Sequence, residues 1–162
     1  MKYFSVLIFA AWGCLAQEKR SALTVNLAFD AEQYYTADIP ESPYFVKEGV
    51  LQIYPGEELN VEAQVKDDKL VNMKVVKKVT HPQSTISVRF YQDAEDRTKA
   101  QMVLVVKNPF DRKLQYDGII YIPKHDKWSR TSILPVMPKL VGYEMWPDVI
   151  ATMALENWRF VD

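Results

Sequence analysis

Cysteine is almost absent from this sequence, and the one that is present, Cys14, lies close to its start. From residue 17 onward there is none, so a domain in that part of the chain can have no disulfide bond and no thiolate metal site. Such a domain must be stabilised by its hydrophobic core.

Histidine and glycine are also scarce, with two and five residues respectively. A zinc site without cysteine would need both His81 and His125 together with carboxylates, and we expect both histidines to lie in exposed loops instead. The glycines form neither the Gly-x-Ser-x-Gly elbow of serine hydrolases nor a phosphate-binding loop. The sequence therefore predicts no cofactor, no metal and no catalytic residue, and it favours a protein that is not an enzyme.

Long apolar runs are missing as well. Tyr3 to Trp12 is apolar for ten residues after the positively charged Lys2, which is too short for a membrane-spanning helix and typical of a secretory signal. Small residues at positions 14 and 16, ahead of Gln17, suit cleavage by a signal peptidase. The sequence thus predicts a signal peptide over residues 1–16 and a single domain over residues 17–162.

Cys14 offers an alternative way of processing this signal. Gly13-Cys14 could end a bacterial lipobox, which would make Cys14 the lipidated first residue of the mature chain, although Trp12 departs from the usual pattern. Cleavage after Ala16 would give a diffusible protein, whereas lipidation of Cys14 would attach it to a membrane. In both cases we expect export to the periplasm or the cell surface.

Charge of either sign is not in excess. Lys2 is the only charged residue in the predicted signal, so residues 17–162 carry 19 basic and 21 acidic residues with the signs interspersed. A nucleic-acid-binding surface would need a clustered basic excess. We therefore expect no nucleic-acid partner.

What the sequence does have is a hydrophobic period of two, the pattern of half-buried strands. Met102 to Val106 lacks this alternation and is typical of an interior strand buried on both faces. Eight strands are predicted: 22–29, 50–54, 59–66, 71–76, 86–91, 102–107, 118–122 and 151–160. Predicted turns separate them at Pro55-Gly56, Asp67-Asp68, His81-Pro82, Asn108-Pro109 and Asp117-Gly118.

Short strands with frequent turns favour an all-β fold, here an antiparallel immunoglobulin-like β-sandwich of about seven to nine strands. One short helical turn is expected near the C-terminus, between Trp146 and Leu155, because Pro147 and Asp148 suit a helix start. Trp158 on the last strand is expected in the core.

Three stretches carry a resemblance to known proteins. Gly49 to Val65, with its Pro-Gly-Glu turn, resembles the opening hairpin of immunoglobulin-like modules, and Val103 to Pro123 resembles their strand, turn and return. Tyr143 to Phe160 resembles the end of uncharacterised secreted bacterial proteins that close on a Trp-Pro-x-x-Ile segment. The resemblance implies a secreted immunoglobulin-like sandwich and no particular activity.

Aromatic residues in predicted connections are the candidates for a binding surface. We interpret residues 34–46 as a connection interrupted by two prolines, and Trp128 as a partly exposed residue of a charged loop. Aromatic side chains on loops bind carbohydrates, peptides or proteins, or else cover an open end of the sandwich. The candidate surface comprises Tyr34, Tyr35, Tyr44, Phe45 and Trp128.

The leading hypothesis is a non-enzymatic binding or accessory module of the cell envelope, with an envelope protein or a glycan as partner. One alternative is a polysaccharide-active enzyme that uses carboxylates from Asp93, Glu95 or Asp96, which we otherwise interpret as a solvated hairpin tip. Another alternative is a structural subunit of an envelope assembly. That alternative predicts an exposed apolar patch or a long unpaired edge strand.

Overall fold

The computed structural model describes residues 18–162, so the predicted signal peptide and Cys14 lie outside the described residues. The described residues are all-β and contain fourteen strands, more than the seven to nine predicted. In chain order they are β1 (Lys19–Arg20), β2 (Leu23–Ala28), β3 (Tyr34–Ile39), β4 (Ser42–Pro43), β5 (Phe45–Lys47), β6 (Val50–Ile53), β7 (Glu58–Lys66), β8 (Lys69–Val75), β9 (Thr85–Asp93), β10 (Gln101–Lys107), β11 (Lys113–Ile122), β12 (Lys127–Thr131), β13 (Val141–Trp146) and β14 (Thr152–Val161).

All eight predicted strands are present, because the period of two marks strands that have one buried face. Their ends differ by at most two residues from those predicted, except that the strand predicted over 118–122 begins five residues earlier, at Lys113. The interior position of 102–106 is confirmed as well. β10 lies between β9 and β13, and Met102, Val103 and Leu104 are all buried.

Trp128 lies on strand β12 and not in a loop, and three further expectations about local structure are wrong. Residues 34–46 are not an irregular connection, since β3 pairs with β2 along its whole length and β4 pairs with β1. No helical turn follows Trp146, because Ile150 and Ala151 are buried and the Ala151 amide donates to the Tyr121 carbonyl oxygen, which leads the chain directly into β14. The helical turns that residues 18–162 do contain are three short 3-10 turns, at Pro82–Ser84, Arg97–Lys99 and Pro123–His125.

The third error concerns Asp117-Gly118, which lies inside β11 and not in a turn. The β11–β14 register shifts between Gln115 and Asp117, and β11 continues beyond this irregularity. A Cβ atom on Gly118 would lie 3.0 Å from Thr131 Cγ2, so glycine allows close approach of the neighbouring strand. The other predicted turns occur, and Gly56 has the positive φ of 96° that favours glycine.

One antiparallel sheet contains most of the described strands. Its order is β12–β11–β14–β8–β7–β9–β10–β13, and β6 pairs with β14 and with β5. The sheet curls strongly, which brings its two edge strands together. The Trp146 indole nitrogen of β13 donates to Thr131 Oγ1 of β12 over 2.9 Å.

The hydrophobic core fills the inside of this curl. Tyr116 and Trp158 stack there with ring centroids 4.6 Å apart, and Trp158 is 3% exposed, as predicted. Phe90, Ile53 and Leu155 have no exposed surface. Fully burying a side chain of this kind contributes about 1.5–3 kcal/mol, so the core stabilises the chain without a disulfide among the described residues.

The two-stranded ribbon β2–β3 lies across one end of the curled sheet and buries Val25 and Leu27 in the core. The Gln92 side chain attaches this ribbon to β9. Its amide nitrogen donates to the Ala28 carbonyl oxygen and its oxygen accepts from the Ala28 amide, both over 2.8 Å. A side-chain amide thus replaces the backbone pairing that a further strand would supply.

Candidate functional site

The structure separates the five aromatic residues predicted to form a binding surface. Tyr35 and Trp128 come together in one cleft between the β2–β3 ribbon and the large sheet. Tyr34 is exposed and stacks under the Arg97 guanidinium, with 4.1 Å from its ring centroid to Cζ. Tyr44 packs against the Arg20 guanidinium, and Phe45 is 4% exposed. Including Phe45 in the binding surface was wrong, because it packs in the core.

The aromatic cleft, as we call the space that contains Tyr35 and Trp128, has a volume of about 240 Å³. Its walls combine aromatic rings, small aliphatic groups and two polar side chains, and none of its lining residues is charged. The lining residues are Val25, Tyr35, Ala37, Ile39, Gln52, Tyr54, Tyr121, Trp128, Ala151 and Thr152.

The Trp128 side chain is held at the mouth of this cleft by strand pairing. Trp128 lies opposite Tyr121 in the β11–β12 register, and the two ring centroids are 5.5 Å apart at an angle of 47°. The Tyr121 hydroxyl donates to Asp126 Oδ1 over 2.7 Å, and this hydrogen bond is the first cause of the raised pKa of Tyr121. Trp128 is 48% exposed, as the sequence predicted, and can therefore be reached by a ligand.

The polar groups of the aromatic cleft form a short network. Gln52 Nε2 donates to the Tyr54 hydroxyl over 3.0 Å and to Thr152 Oγ1 over 3.3 Å, while Thr152 Oγ1 donates to the Ile53 carbonyl oxygen over 2.9 Å. Burial is the first cause of the raised pKa of Tyr54, so this hydroxyl stays protonated at neutral pH. Both amide protons of the Gln52 side chain are engaged in these hydrogen bonds. The side-chain oxygen of Gln52, Oε1, is then the acceptor that the network offers to a ligand.

The tip of the ribbon is fixed by Arg97, which follows the β9 strand. Arg97 Nη2 donates to the carbonyl oxygens of Asp30 and Gln33 over 2.9 and 3.0 Å. Asp30 Oδ1 in turn accepts from the amides of Glu32 and Gln33, and these bonds lower the pKa of Asp30. These backbone hydrogen bonds from Arg97 therefore hold the ribbon tip, while the exposed Tyr34 ring packs against the Arg97 guanidinium and does not line the aromatic cleft.

Sequence reasoning missed Arg20, whose guanidinium packs against Tyr54, one of the residues that line the cleft. Arg20 is 2% exposed, its Nε donates to Glu57 Oε1 over 2.8 Å, and its guanidinium lies between the rings of Tyr44 and Tyr54. Further donors reach Ser42 Oγ and two backbone carbonyl oxygens. No sequence signal marks this arginine, because an arginine in a charged stretch is usually solvated.

The carboxylates proposed for an enzymatic alternative lie apart from the aromatic cleft. Asp93, Glu95 and Asp96 are exposed at the β9–β10 connection, where Asp96 caps a 3-10 turn by accepting from the Thr98 amide and hydroxyl. Those bonds lower the pKa of Asp96. An ionised carboxylate with a lowered pKa is a poor general acid at neutral pH.

A second groove, with a volume of about 500 Å³, is lined by three carboxylates that sequence reasoning did not select, the exposed Glu48 together with Asp117 and Glu156. Asp117 and Glu156 lie opposite each other in the β11–β14 register. Asp117 accepts from Asn157 Nδ2 and Arg159 Nη1 over 2.9 and 3.0 Å, and Glu156 pairs with Arg130 over 3.5 Å. The hydrogen bond from Asn157 is the first cause of the lowered pKa of Asp117.

This lowered pKa predicts part of the acid sensitivity of the domain. The contribution of Asp117 to stability is fully present above the unfolded pKa of about 3.9 and is lost as the pH falls through the lower folded pKa. We expect the Asp117→Asn variant to lose less stability than the wild type between about pH 4 and pH 2. Urea unfolding curves across this range measure the difference, and parallel curves would contradict the prediction.

The two histidines remain far apart. His81 Nδ1 lies 2.9 Å from Glu62 Oε2 and its side chain is exposed, while His125 is exposed in the 3-10 turn before β12. Within residues 18–162, no group of three or more His, Cys, Asp and Glu side chains could hold a metal ion. The same part of the chain contains no helix with the length and apolar character needed to cross a membrane.

Comparison with known proteins adds no relative. No protein-family model matches the chain, and no curated protein and no solved structure is significantly similar to it. The geometry of the two clefts therefore carries the functional interpretation.

Proposed function

We propose that this chain is an exported, non-enzymatic binding module of the cell envelope, and that the aromatic cleft binds a neutral saccharide. The observation that carries the proposal is that Tyr35, Tyr121 and Trp128 lie around the hydrogen-bonding groups of Gln52 and Thr152. A sugar ring combines apolar C–H faces with a rim of hydroxyl groups. Aromatic side chains match such faces, and amide and hydroxyl groups match such a rim.

The size of the cleft suits one terminal sugar unit. At about 240 Å³, the cleft lies just below the range of about 300–1,000 Å³ that is usual for small-molecule sites. A longer saccharide would leave the cleft past the exposed Trp128 ring. No charged residue lines the cleft, and the cations close to Trp128 in the sequence, Lys124, Lys127 and Arg130, lie outside the lining. The cleft therefore favours a neutral sugar.

A sugar-binding experiment with Trp128 variants tests this proposal. We expect Trp128→Ala to weaken the binding of neutral oligosaccharides by about tenfold or more, because the ring supplies one face of the site and stays accessible. Trp128→Phe should retain part of the affinity. Isothermal titration calorimetry against a panel of neutral and anionic oligosaccharides measures the effect.

The matched control is Tyr34→Ala, which removes an exposed aromatic ring on β3 that does not line the cleft. It should leave the affinity close to that of the wild type. If no neutral sugar binds, or if Tyr34→Ala and Trp128→Ala weaken binding equally, the aromatic cleft is not a saccharide site.

Two features support binding without hydrolysis. The aromatic cleft has no carboxylate in its lining, and the two carboxylates that face each other in the second groove, Asp117 and Glu156, are each paired with an arginine. A glycosidase needs one carboxyl group with a raised pKa as general acid, whereas the pKa of Asp117 is lowered. Incubation with the bound oligosaccharide should leave it intact, and cleavage that Asp117→Asn abolishes would favour the enzymatic alternative.

Export and anchoring belong to the same proposal. Intact-mass measurement of the processed protein distinguishes a chain that begins at Gln17 from one with a lipid on Cys14.

For the finer fold, we propose an immunoglobulin-like sandwich whose two halves are joined through β14. Support comes from the antiparallel pairing throughout and from one core shared by the facing parts of the curled sheet.

A further inference from the structure

The outward face of three neighbouring strands carries large exposed apolar side chains. Strands β9, β10 and β13 share this face, which we call the β9–β10–β13 face. Tyr143 and Met145 on it are 64% and 62% exposed. Its cross-strand rows are Ser87, Lys107 and Val141; Arg89, Val105 and Tyr143; Tyr91, Val103 and Met145; and Asp93 with Gln101.

The apolar surface stops at β9. On the neighbouring strand β7, Glu58, Asn60 and Glu62 occupy the same outward face. Solvated sheets carry polar residues on their outer face, as β7 does, and contiguous exposed apolar patches mark interaction surfaces. The β9–β10–β13 face is therefore expected to have a protein partner.

The free edge of β13 is less suited to partner binding than its face. The backbone amide of Leu134 donates to Glu144 Oε1 over 2.8 Å, and the Trp146 indole donates to Thr131 Oγ1. The segment before β13 thus lies along this edge. Addition of a further strand would have to displace these contacts, whereas the outward side chains of Val141, Tyr143 and Met145 are exposed.

The charges on this face identify the partner. Along the outward side of β9 the order is Arg89, Tyr91 and Asp93, with the Arg89 guanidinium 4.4 Å from the Tyr91 ring centroid. Reversal of this order in a facing copy places Arg89 of each copy beside Tyr91 and Asp93 of the other. The same reversal places the row of Tyr91, Val103 and Met145 against the same row of the other copy, with Tyr143 in the adjoining row.

We propose that the β9–β10–β13 face binds the same face of a second copy of this chain, about a two-fold axis that lies across the strands. The two sheets then pack face to face with their strands within about 30° of each other, as in aligned sheet packing. Each copy contributes the same residues, as a two-fold interface requires. The aromatic cleft takes no part in this contact, so the proposal is independent of saccharide binding.

Sedimentation velocity over a concentration series tests the proposal on the protein as the cell exports it. We expect a reversible dimer, and we expect Tyr143→Glu to weaken self-association at least about tenfold because it places a charge in the apolar centre. Val65→Glu is the matched control, since Val65 is 51% exposed on β7 and lies outside the face. The thermal unfolding midpoint of each variant verifies that it is folded.

A charge exchange distinguishes a second copy from any other partner. Arg89→Glu alone and Asp93→Arg alone should each dissociate the dimer, because like charges then face each other. An equimolar mixture of these two variants should associate again, since each contact regains one cation and one anion. A wild-type chain that remains monomeric overturns the proposal and leaves the face to a different protein, and a dimer that Tyr143→Glu does not weaken overturns it as well.

Discussion

Replacement of Arg20 by alanine is expected to lower the free energy of unfolding by about 3–5 kcal/mol, the usual cost of removing one partner of a buried ion pair. Arg20 is 2% exposed and Glu57, its partner, has a side chain that is 11% exposed. The variant leaves the Glu57 carboxylate without its cation. It also removes the contact that holds Tyr44 and Tyr54 on either side of the guanidinium.

The neighbouring residue supplies the control for this result. Lys19 pairs with Glu41 over 3.6 Å, and both side chains are more than half exposed. Exposed pairs contribute about 0–1 kcal/mol, so Lys19→Ala should change stability little. Arg20→Lys keeps the charge but lacks the planar guanidinium that reaches several acceptors. Its loss of stability should be smaller than that of Arg20→Ala and larger than that of Lys19→Ala. Urea unfolding with an unchanged m-value measures all three, and an Arg20→Ala variant as stable as Lys19→Ala would contradict the assignment.

The second large loss of stability is expected on replacement of Asn108, which has no exposed surface. Its Nδ2 donates to the carbonyl oxygens of Arg112, Val136 and Met137, and its Oδ1 accepts from the Phe110 amide. Asn108→Ala removes the hydrogen-bond partner of the Arg112 carbonyl oxygen and of the Phe110 amide, at about 1–3 kcal/mol each, whereas the Val136 and Met137 carbonyl oxygens still accept from the Leu114 and Leu140 amides. We expect a total loss of about 3–4 kcal/mol after water enters the site, and faster amide exchange in residues 132–140.

Asn26→Ala is the matched control for Asn108. Asn26 is exposed on β2 and accepts only a 3.3 Å hydrogen bond from the Thr36 hydroxyl. Its replacement should cost less than about 1 kcal/mol. Hydrogen exchange together with urea unfolding separates a local opening of residues 132–140 from global destabilisation. If exchange in that segment is unchanged, Asn108 does not hold it.

The period of two predicted strands well, because the alternation reports a buried face regardless of where the strand lies in the sheet. Strands with weaker alternation were missed. β12 carries Lys127, Trp128 and Arg130 and was assigned to a charged loop, since an edge strand with few buried residues has the composition of a loop. β3 was missed because the nearby prolines favoured a connection.

The candidate site was predicted only in part. Tyr35 and Trp128 were selected as amphipathic aromatics, and both line the aromatic cleft. Gln52, Tyr121 and Thr152 were not selected, because nothing in a single sequence shows that β6, β11 and β14 meet beneath a ribbon. Phe45 and Tyr35 are both aromatic residues of the segment 34–46, so the sequence treats them alike. Only the position of Phe45 in the core distinguishes the two.

The sequence by itself determined that the described chain folds as an all-β structure without disulfides, that 102–106 belongs to an interior strand of the sheet and that Trp158 belongs to the core. These properties follow from local alternation and composition. The tertiary structure decided which aromatics share a cleft, that Arg20 is buried and that the outward side of β13 is apolar. Such properties depend on pairings between residues far apart in the chain, like Arg20 with Glu57 and β10 with β13, which no local pattern contains.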